Sequence, residues 1–418
     1  MNSIISGTDG RYSYARGLGA EIPGSQNELA AAKKGTTVRL TIDRDVQWVA
    51  ANAIAEAVSK ARAVSGTVIV IDPKTGHILA HATAPTFDPN NTKTVSESQM
   101  RNPSVQDVYE PGSTGKVMTL AAALEEKKIT PETVFTIPYS IKRGGETFRD
   151  HERHPVQKLT TAGILAVSSN TGTIKIGEMI SNDTLHDYLS KFGMGKSTGS
   201  GLPGESAGIL PPVSKWSGTT APTVAFGQGY SLTAMQATSI FATIVNNGVR
   251  VSPTVIAGTS DASGKFTALS ARTNERVISA ATAQQLRIMM ESVVSGQGTA
   301  PSAAIPGYRV AGKTGTAWRF NSELHKYSGY TASFIGFAPA DAPKYVISVT
   351  IQDPKGTYYG GSLAGPVFKK VMTFVLQSEH VAPTGTKVAP VALTEKELKA
   401  KQQKADVVKV SQVSARQR

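Results

Sequence analysis

The order of strand-like and helix-like runs predicts an α+β protein: an antiparallel sheet sandwiched by helices, beside an all-helical lobe. Two observations predict it. β-rich runs stand near both ends of the patterned stretch, at 66–72 and 77–83 and again at 307–317, 331–339 and 344–353. The patterns between them are mostly helical. Strands from the two ends can join in one antiparallel sheet, and the helical middle then forms a second lobe against it.

Each element has a local reason. Residues 1–40 are polar and Gly-containing without sustained periodicity, and read as extended segments of a larger unit. "TVRLTID" (37–43) is a short strand-like run. Asp43 then caps a helix over about 44–64. Val46, Val49, Ala50, Ala53, Ile54, Ala57 and Val58 give that helix one apolar stripe. "GTVIVID" and "HILAHAT" flank "PKTG", the pattern of a hairpin around a Pro/Gly turn. The Asn-, Pro-, Thr- and Ser-rich stretch 84–108 reads as a long loop, of the kind that borders sites. Helical patterns follow at 114–126, 160–169, 184–193 and 231–248, the last ended by Asn-Asn-Gly. Leu286, Met289, Met290 and Val293 mark another at i, i+3, i+4, i+7, with the methionines as core packing. A terminal helix is expected over 363–377. The chain thus divides into a short N-terminal unit (1–40), a main domain (41–378) and a basic flexible tail (379–418).

Composition excludes several classes of function. The net charge of the 418 residues is +13, and residues 379–418 hold eight Lys/Arg against four Asp/Glu. The remaining basic residues are scattered, with no stripe interleaved with aromatics, so nucleic acid is not an expected partner. The absence of cysteine removes disulfides, a thiol nucleophile and Cys-ligated metal. No run approaches the ~18–20 apolar residues of a membrane span. The first residues lack the apolar core of a secretory signal. As written, the sequence reads as a soluble chain.

Three segments carry chemistry. In "YEPGSTGKVMTL", Pro111 and Gly112 turn the chain directly before a helix, Ser113 sits in its first turn, and Lys116 is three residues on. Side chains at i and i+3 share a helix face, so the amine can reach the hydroxyl. A serine needs a base in hydrogen-bond contact to act as a nucleophile. A lysine can be that base only when burial or a nearby cation lowers its pKa. In "AVSSNTG", Ser168 can shuttle a proton and Asn170 offers a donor and an acceptor to a substrate amide. Ordinary helix capping would use the same residue types. In "VAGKTGTA", a predicted strand, Lys313 supplies charge, Thr314 and Thr316 supply hydroxyls for a carboxylate, and Gly315 lets another backbone approach.

The three together, in this order and in these local settings, are the set Ser-x-x-Lys, Ser-x-Asn and Lys-Thr-Gly. With them the chain resembles the class B penicillin-binding proteins, the monofunctional D,D-transpeptidases of peptidoglycan synthesis. The resemblance extends over most of 37–377, through "TIDRDVQ", "APTFDPN", "RNPSVQDVYEPGS", "LPGE", "FGQGYSLTAMQ" and "YGGSLAGPVFKKVM". The last three tilt it toward the division-associated branch. "GTDGRYSYARG" looks like the end of the N-terminal pedestal of such proteins. The family has a fuller pedestal and a membrane helix that this sequence does not include.

The resemblance implies a transpeptidase fold of the penicillin-binding and serine β-lactamase kind, and no cofactor. It implies that Lys116 deprotonates Ser113, which attacks the carbonyl between the two terminal D-alanines of a stem peptide. It gives the oxyanion hole to the backbone N–H groups of Ser113 and Thr316, proton relay to Ser168 with Lys313 nearby, the terminal carboxylate to Thr314 and Thr316 beside Gly315, and the substrate amide to Asn170. Expected partners are stem peptides and lipid-linked precursor, β-lactams as covalent inhibitors, and a membrane glycosyltransferase and division proteins through parts outside this sequence. The expected location is the extracytoplasmic face of the bacterial cytoplasmic membrane.

Other readings stay open at this stage. A serine β-lactamase or D,D-carboxypeptidase needs a residue that activates water, and Glu205, in "ESAGIL", reads instead as part of a structural loop. A β-lactam sensor or non-catalytic scaffold would acylate without turnover. His151 and His154 in "DHERH" have H-x-x-H spacing but no evident third ligand, so no metal is expected. His77 and His81 alternate with apolar residues in a strand and read as surface positions.

Overall fold

Five antiparallel strands form the central sheet of the computed structural model, which describes residues 2–416 apart from positions 94, 262, 270–273, 322–324 and 389–390. They are β1 (Ser65–Ile71), β2 (Ile78–Ala84), β3 (Ala311–Asn321), β4 (Lys326–Ala338) and β5 (Tyr345–Gln352). Their spatial order is β3-β4-β5-β1-β2. The join between the two ends of the sequence is the β5–β1 ladder, running from Val346 opposite Ile71 to Gln352 opposite Ser65. Residues Gly66–Ile71 are all buried, so this strand is covered on both faces.

Helices make those covers. Helix α1 (Arg44–Ala61) begins as expected, with the Asp43 carboxylate accepting from the Asp45 and Val46 N–H groups at 3.0 and 2.8 Å. It ends three residues before the expected bound of about 64, where Arg62 turns left-handed at φ +46°. The terminal helix α7 (Gly360–Ser378) packs against α1 and β4 on the same side. Helices α5 (Ala234–Val245) and α6 (Ala280–Val294) lie against the other side. Leu286, Met289, Met290 and Val293 of α6 are fully buried, as core packing requires.

The second lobe contains α2 (Lys116–Glu125), α3 (Thr161–Ala166) and α4 (Asn170–Gly177). Every residue of α2 from Lys116 to Leu124 is buried, which is why its sequence is apolar all round. The lobe also carries two short antiparallel pairs, Val134–Ile137 with Gln157–Thr160 and Ser140–Arg143 with Glu146–Arg149. Four-residue strands are too brief to leave a readable alternation.

The expectation of a flexible tail over 379–418 needs correction. The Thr160 N–H and hydroxyl donate to the carbonyls of Leu393 and Ala392, at 3.0 and 2.6 Å. Leu393 is buried, and Lys158 pairs with Glu395 at 3.1 Å. Helix α8 (Glu395–Arg416) follows, and its Lys401 reaches Glu132 at 2.8 Å. Polarity hid this docking because most of its contacts are backbone carbonyls and ion pairs. Positions 389–390 and 417–418 of the tail lie outside the described residues. Among the described residues no helix is long and apolar enough to cross a membrane.

Candidate active site

The nucleophile turn is a 3-10 segment, Gly112–Thr114, that runs through Gly115 into α2. Gly112 adopts φ +53°, and a Cβ there would stand 3.0 Å from the Ala317 Cβ and 3.3 Å from the Thr316 carbonyl oxygen. From the other side, Gly315 would place a Cβ 2.3 Å from the Ser333 hydroxyl and 3.0 Å from the Pro111 carbonyl oxygen. Two missing side chains therefore let β3 lie against the turn that presents Ser113. Ser113 is half-buried.

Lys116 is the first residue of α2 and is fully buried. Its amine donates to the Ser168 carbonyl at 2.5 Å, the Asn170 Oδ1 at 2.7 Å and the Ser168 hydroxyl at 3.2 Å. None of the side-chain hydrogen bonds among the described residues involves Ser113. Lys313, also fully buried, arrives from β3 and contacts the Ser168 hydroxyl at 2.9 Å and the Thr314 carbonyl and hydroxyl at 3.3 and 3.2 Å. Both lysines thus converge on one hydroxyl.

That hydroxyl is placed by backbone strain. Three residues, Val167–Ser169, join α3 to α4, and Ser168 takes φ +60°. A non-glycine residue held there costs on the order of 1–3 kcal/mol and persists only where the surroundings enforce it. Capping occurs one residue further on: the Gly172 N–H donates to the Ser169 hydroxyl at 2.9 Å. Capping and site chemistry therefore fall on adjacent serines of the same motif.

Asp150 was not singled out in the sequence. It is 8% exposed and lies behind the loop. Its carboxylate accepts from the Ser169 hydroxyl at 2.7 Å, the Thr171 N–H at 2.9 Å and His154 Nε2 at 2.9 Å. The only signal was an aspartate in "RDHERH", and its meaning depends on long-range contacts. His151 meets the Tyr359 hydroxyl at 3.0 Å, so the two histidines of that motif face different partners. No metal-binding cluster occurs among the described residues.

Burial pulls the Lys116 pKa down to about 7, against the attraction of Asp150, which favours its protonated form. Burial and then the neighbouring Lys116 charge hold Lys313 well below the ordinary lysine value. Asp150 gives its counter-charge to Lys116, whereas Lys313 pairs with no carboxylate among the described residues.

The remaining positions are accounted for. The Thr314 hydroxyl is buried and meets the Thr299 hydroxyl at 2.8 Å. The Thr316 hydroxyl accepts from the Gly360 N–H at the start of α7, at 3.1 Å, leaving its own proton to donate. Glu205 accepts from the Thr198 N–H at 2.8 Å and the Ser200 hydroxyl at 3.1 Å, which closes a local loop. His81 is not a surface histidine: its ring meets the Ser104 hydroxyl, and burial lowers its pKa to about 4. Beside the nucleophile turn lies a cleft of about 530 Å3 lined by Glu110, Thr223, Gln228, Gly229, Trp318 and Tyr327. Burial raises the Glu110 pKa, opposed by hydrogen bonds from the Gly229 N–H at 3.0 Å and the Tyr327 hydroxyl at 3.1 Å.

Two buried lysines that meet at the Ser168 hydroxyl, with β3 against the turn that carries Ser113, bring together the three motifs shared by the penicillin-recognising serine enzymes. Residues 66–373 match the family described as "Penicillin binding protein transpeptidase domain", and the chain belongs to that family. It is 40% identical over 393 residues to the penicillin-binding protein PbpB of Mycolicibacterium smegmatis, covering 91% of this chain and 61% of that protein. It is 36% identical over 356 residues to the peptidoglycan D,D-transpeptidase FtsI of Escherichia coli, covering 82% and 56%. Among solved structures, penicillin-binding protein 3 of Mycobacterium tuberculosis complexed with ampicillin superposes with a TM-score of 0.83 at 37% identity, covering 88% of this chain and 84% of that one. The chain thus spans about three-fifths of the length of the curated relatives it matches.

Proposed function

We propose that this chain is the catalytic part of a peptidoglycan D,D-transpeptidase acting through an acyl-enzyme on Ser113. The observation that carries the reading is the convergence of fully buried Lys116 and Lys313 on the Ser168 hydroxyl, at 3.2 and 2.9 Å. Neutral Lys116 takes the Ser113 proton as the serine oxygen attacks the carbonyl between two terminal D-alanines. The Ser113 and Thr316 N–H groups stabilise the oxyanion. Ser168 hands a proton to the departing D-alanine amine, which leaves with the electron pair of the broken C–N bond, and Lys116 returns the Ser113 proton to Ser168 across 3.2 Å. An amine of a second stem peptide then takes the acyl group and restores Ser113.

The substrate's terminal carboxylate binds at Thr316, with Thr314 lining the strand behind it, and Asn170 holds the substrate amide. Arrival of that carboxylate brings a negative charge near Lys313, which favours its protonated form. β-Lactams acylate Ser113 by the same attack. Likeness to E. coli FtsI supports a septal role on the outer face of the cytoplasmic membrane. With that role the proposal takes lipid-linked precursor as substrate and a membrane glycosyltransferase and division proteins as partners, as the sequence resemblance implies.

The test is intact mass after incubation with labelled penicillin, followed by peptide mapping. One adduct on Ser113 is expected, absent from Ser113→Ala. Undiminished labelling of Ser113→Ala refutes the assignment.

A further inference from the structure

Asp150 is a buried carboxylate that the transpeptidase mechanism does not use. It is 8% exposed, whereas Lys116 and Lys313 are 0% exposed. One oxygen accepts from the Thr171 N–H at 2.9 Å, and the other from the Ser169 hydroxyl at 2.7 Å and the Thr171 hydroxyl at 3.3 Å. These groups begin α4, one and three residues after Ser168. Asn170 completes the tie, donating to the Arg149 carbonyl at 2.9 Å while accepting from Lys116. The loop that presents Ser168 and Asn170 is therefore fastened along residues 149–150.

His154 holds Asp150 from the far side. Its Nε2 faces the Asp150 carboxylate at 2.9 Å and its Nδ1 faces the Pro155 carbonyl at 2.7 Å. Both partners are acceptors, so only the doubly protonated imidazolium satisfies both. Burial works against that charge, but the hydrogen bonds from the ring to Pro155 and Asp150 outweigh it and raise the His154 pKa. The charged groups facing this unit are Lys116 from α2, with Lys313 from β3 on the other side of Ser168, and His154 from its own loop. Exposed Arg149 turns to the Thr147 carbonyl and half-buried Lys175 to the Thr136 carbonyl.

We propose that Asp150 is a positioning residue for acylation: its carboxylate, braced by His154, fixes the Ser168–Asn170 loop and supplies the buried negative charge that faces Lys116. This rests on Lys116 being the base for Ser113. Asp150 touches no reacting atom and acts through Lys116 and Ser168. Its negative charge favours the proton on Lys116. Removing it makes Lys116 easier to deprotonate, even as the loop is held less well. Removing the positive charge of His154 does the reverse, because Asp150 then acts on Lys116 without a cation beside it.

The experiment measures the second-order acylation rate with one β-lactam from pH 5 to 9 in the parent, Asp150→Asn and His154→Gln, with melting temperature and adduct mapping for each. Asp150→Asn should lower the high-pH plateau by about tenfold to a hundredfold, from loop misplacement. It should also move the acid-limb midpoint down by about one pH unit, from the lost charge. His154→Gln keeps an N–H for Asp150 but cannot be charged, and should move the midpoint up. A uniform rate loss in Asp150→Asn with an unmoved or raised midpoint overturns the proposal. If Asp150→Asn does not fold, an unmoved or lowered midpoint in His154→Gln overturns it alone. Labelling that survives in Ser113→Ala defeats the parent mechanism instead, a result distinct from either midpoint.

Discussion

Replacing Lys116 by arginine removes one property, the ability to become neutral, while keeping the charge and most of the length. The Lys116 pKa is lowered from 10.5 to about 7 by burial. At pH 7.5 such an amine is roughly three-quarters neutral, whereas at its ordinary value about one in a thousand would be. The fold therefore supplies almost a thousandfold more free base than an exposed lysine offers. Arginine, with a pKa above about 12, supplies essentially none. Its guanidinium must also fit where the amine now has the Ser168 carbonyl at 2.5 Å and Asn170 Oδ1 at 2.7 Å. Lys116→Arg should thus lower the second-order rate of β-lactam acylation at pH 7.5 by at least about a thousandfold. In the parent, the rate should rise tenfold per pH unit below the lysine's value and level off above about 7. The assay is rapid-quench mass spectrometry of the Ser113 adduct across pH, with Lys313→Arg beside it as a variant that retains more activity. The reasoning is refuted if Lys116→Arg acylates as fast as Lys313→Arg, or if the parent rate is flat from pH 6 to 8.

The same lysine makes stability depend on pH. Its pKa is lower folded than unfolded, so between about 7 and 10.5 the folded chain binds fewer protons and stability rises with pH; urea titrations should show that rise shrink in Lys116→Met. Gly163→Ala would set a Cβ 1.9 Å from the Leu393 carbonyl oxygen. It should release residues 391–398 to hydrogen exchange and cost about 1–3 kcal/mol in unfolding free energy. Gly315→Ala forces its Cβ against Ser333 and the Pro111 carbonyl, separating β3 from the nucleophile turn; acylation should fall more than about tenfold, with circular dichroism little changed. Glu205→Gln should lower the melting temperature without lengthening the life of the penicillin adduct. A longer-lived adduct would show that Glu205 activates water.

The site was legible as residue types and poorly legible as contacts. Ser113, Lys116, Ser168, Asn170 and Lys313 stand in short motifs because each needs a fixed local geometry: a helix start, an interhelical turn, a strand. Asp150 escaped notice, and His154 was weighed only as a metal ligand, because nothing local marks the contact between them. An aspartate in a polar loop looks the same whether it faces water or the back of an active site. The docking of residues 391–398 escaped for a similar reason. It rests on Thr160, Gly163 and backbone carbonyls rather than on an apolar stripe. His81 was misjudged because strand alternation marks one face as outward, and here Ser104 covers that face.

The sequence by itself determined the longer helices and the strands of the central sheet, since periodicity, caps and turns act over a few residues. Asp43 starts α1 and the alternation around "PKTG" makes the β1–β2 hairpin wherever the rest of the chain goes. It also determined the inventory of reactive groups and their order. Only the tertiary structure decided what those groups can do. Lys116 is an ordinary amine until packing removes water from it on every side, and its pKa falls because of that burial, against the pull of a carboxylate 34 residues away. The left-handed backbone of Ser168 and the missing counter-charge of Lys313 arise in the same way. Both are imposed by neighbours that are distant in sequence, and electrostatics and strain depend on distance in space.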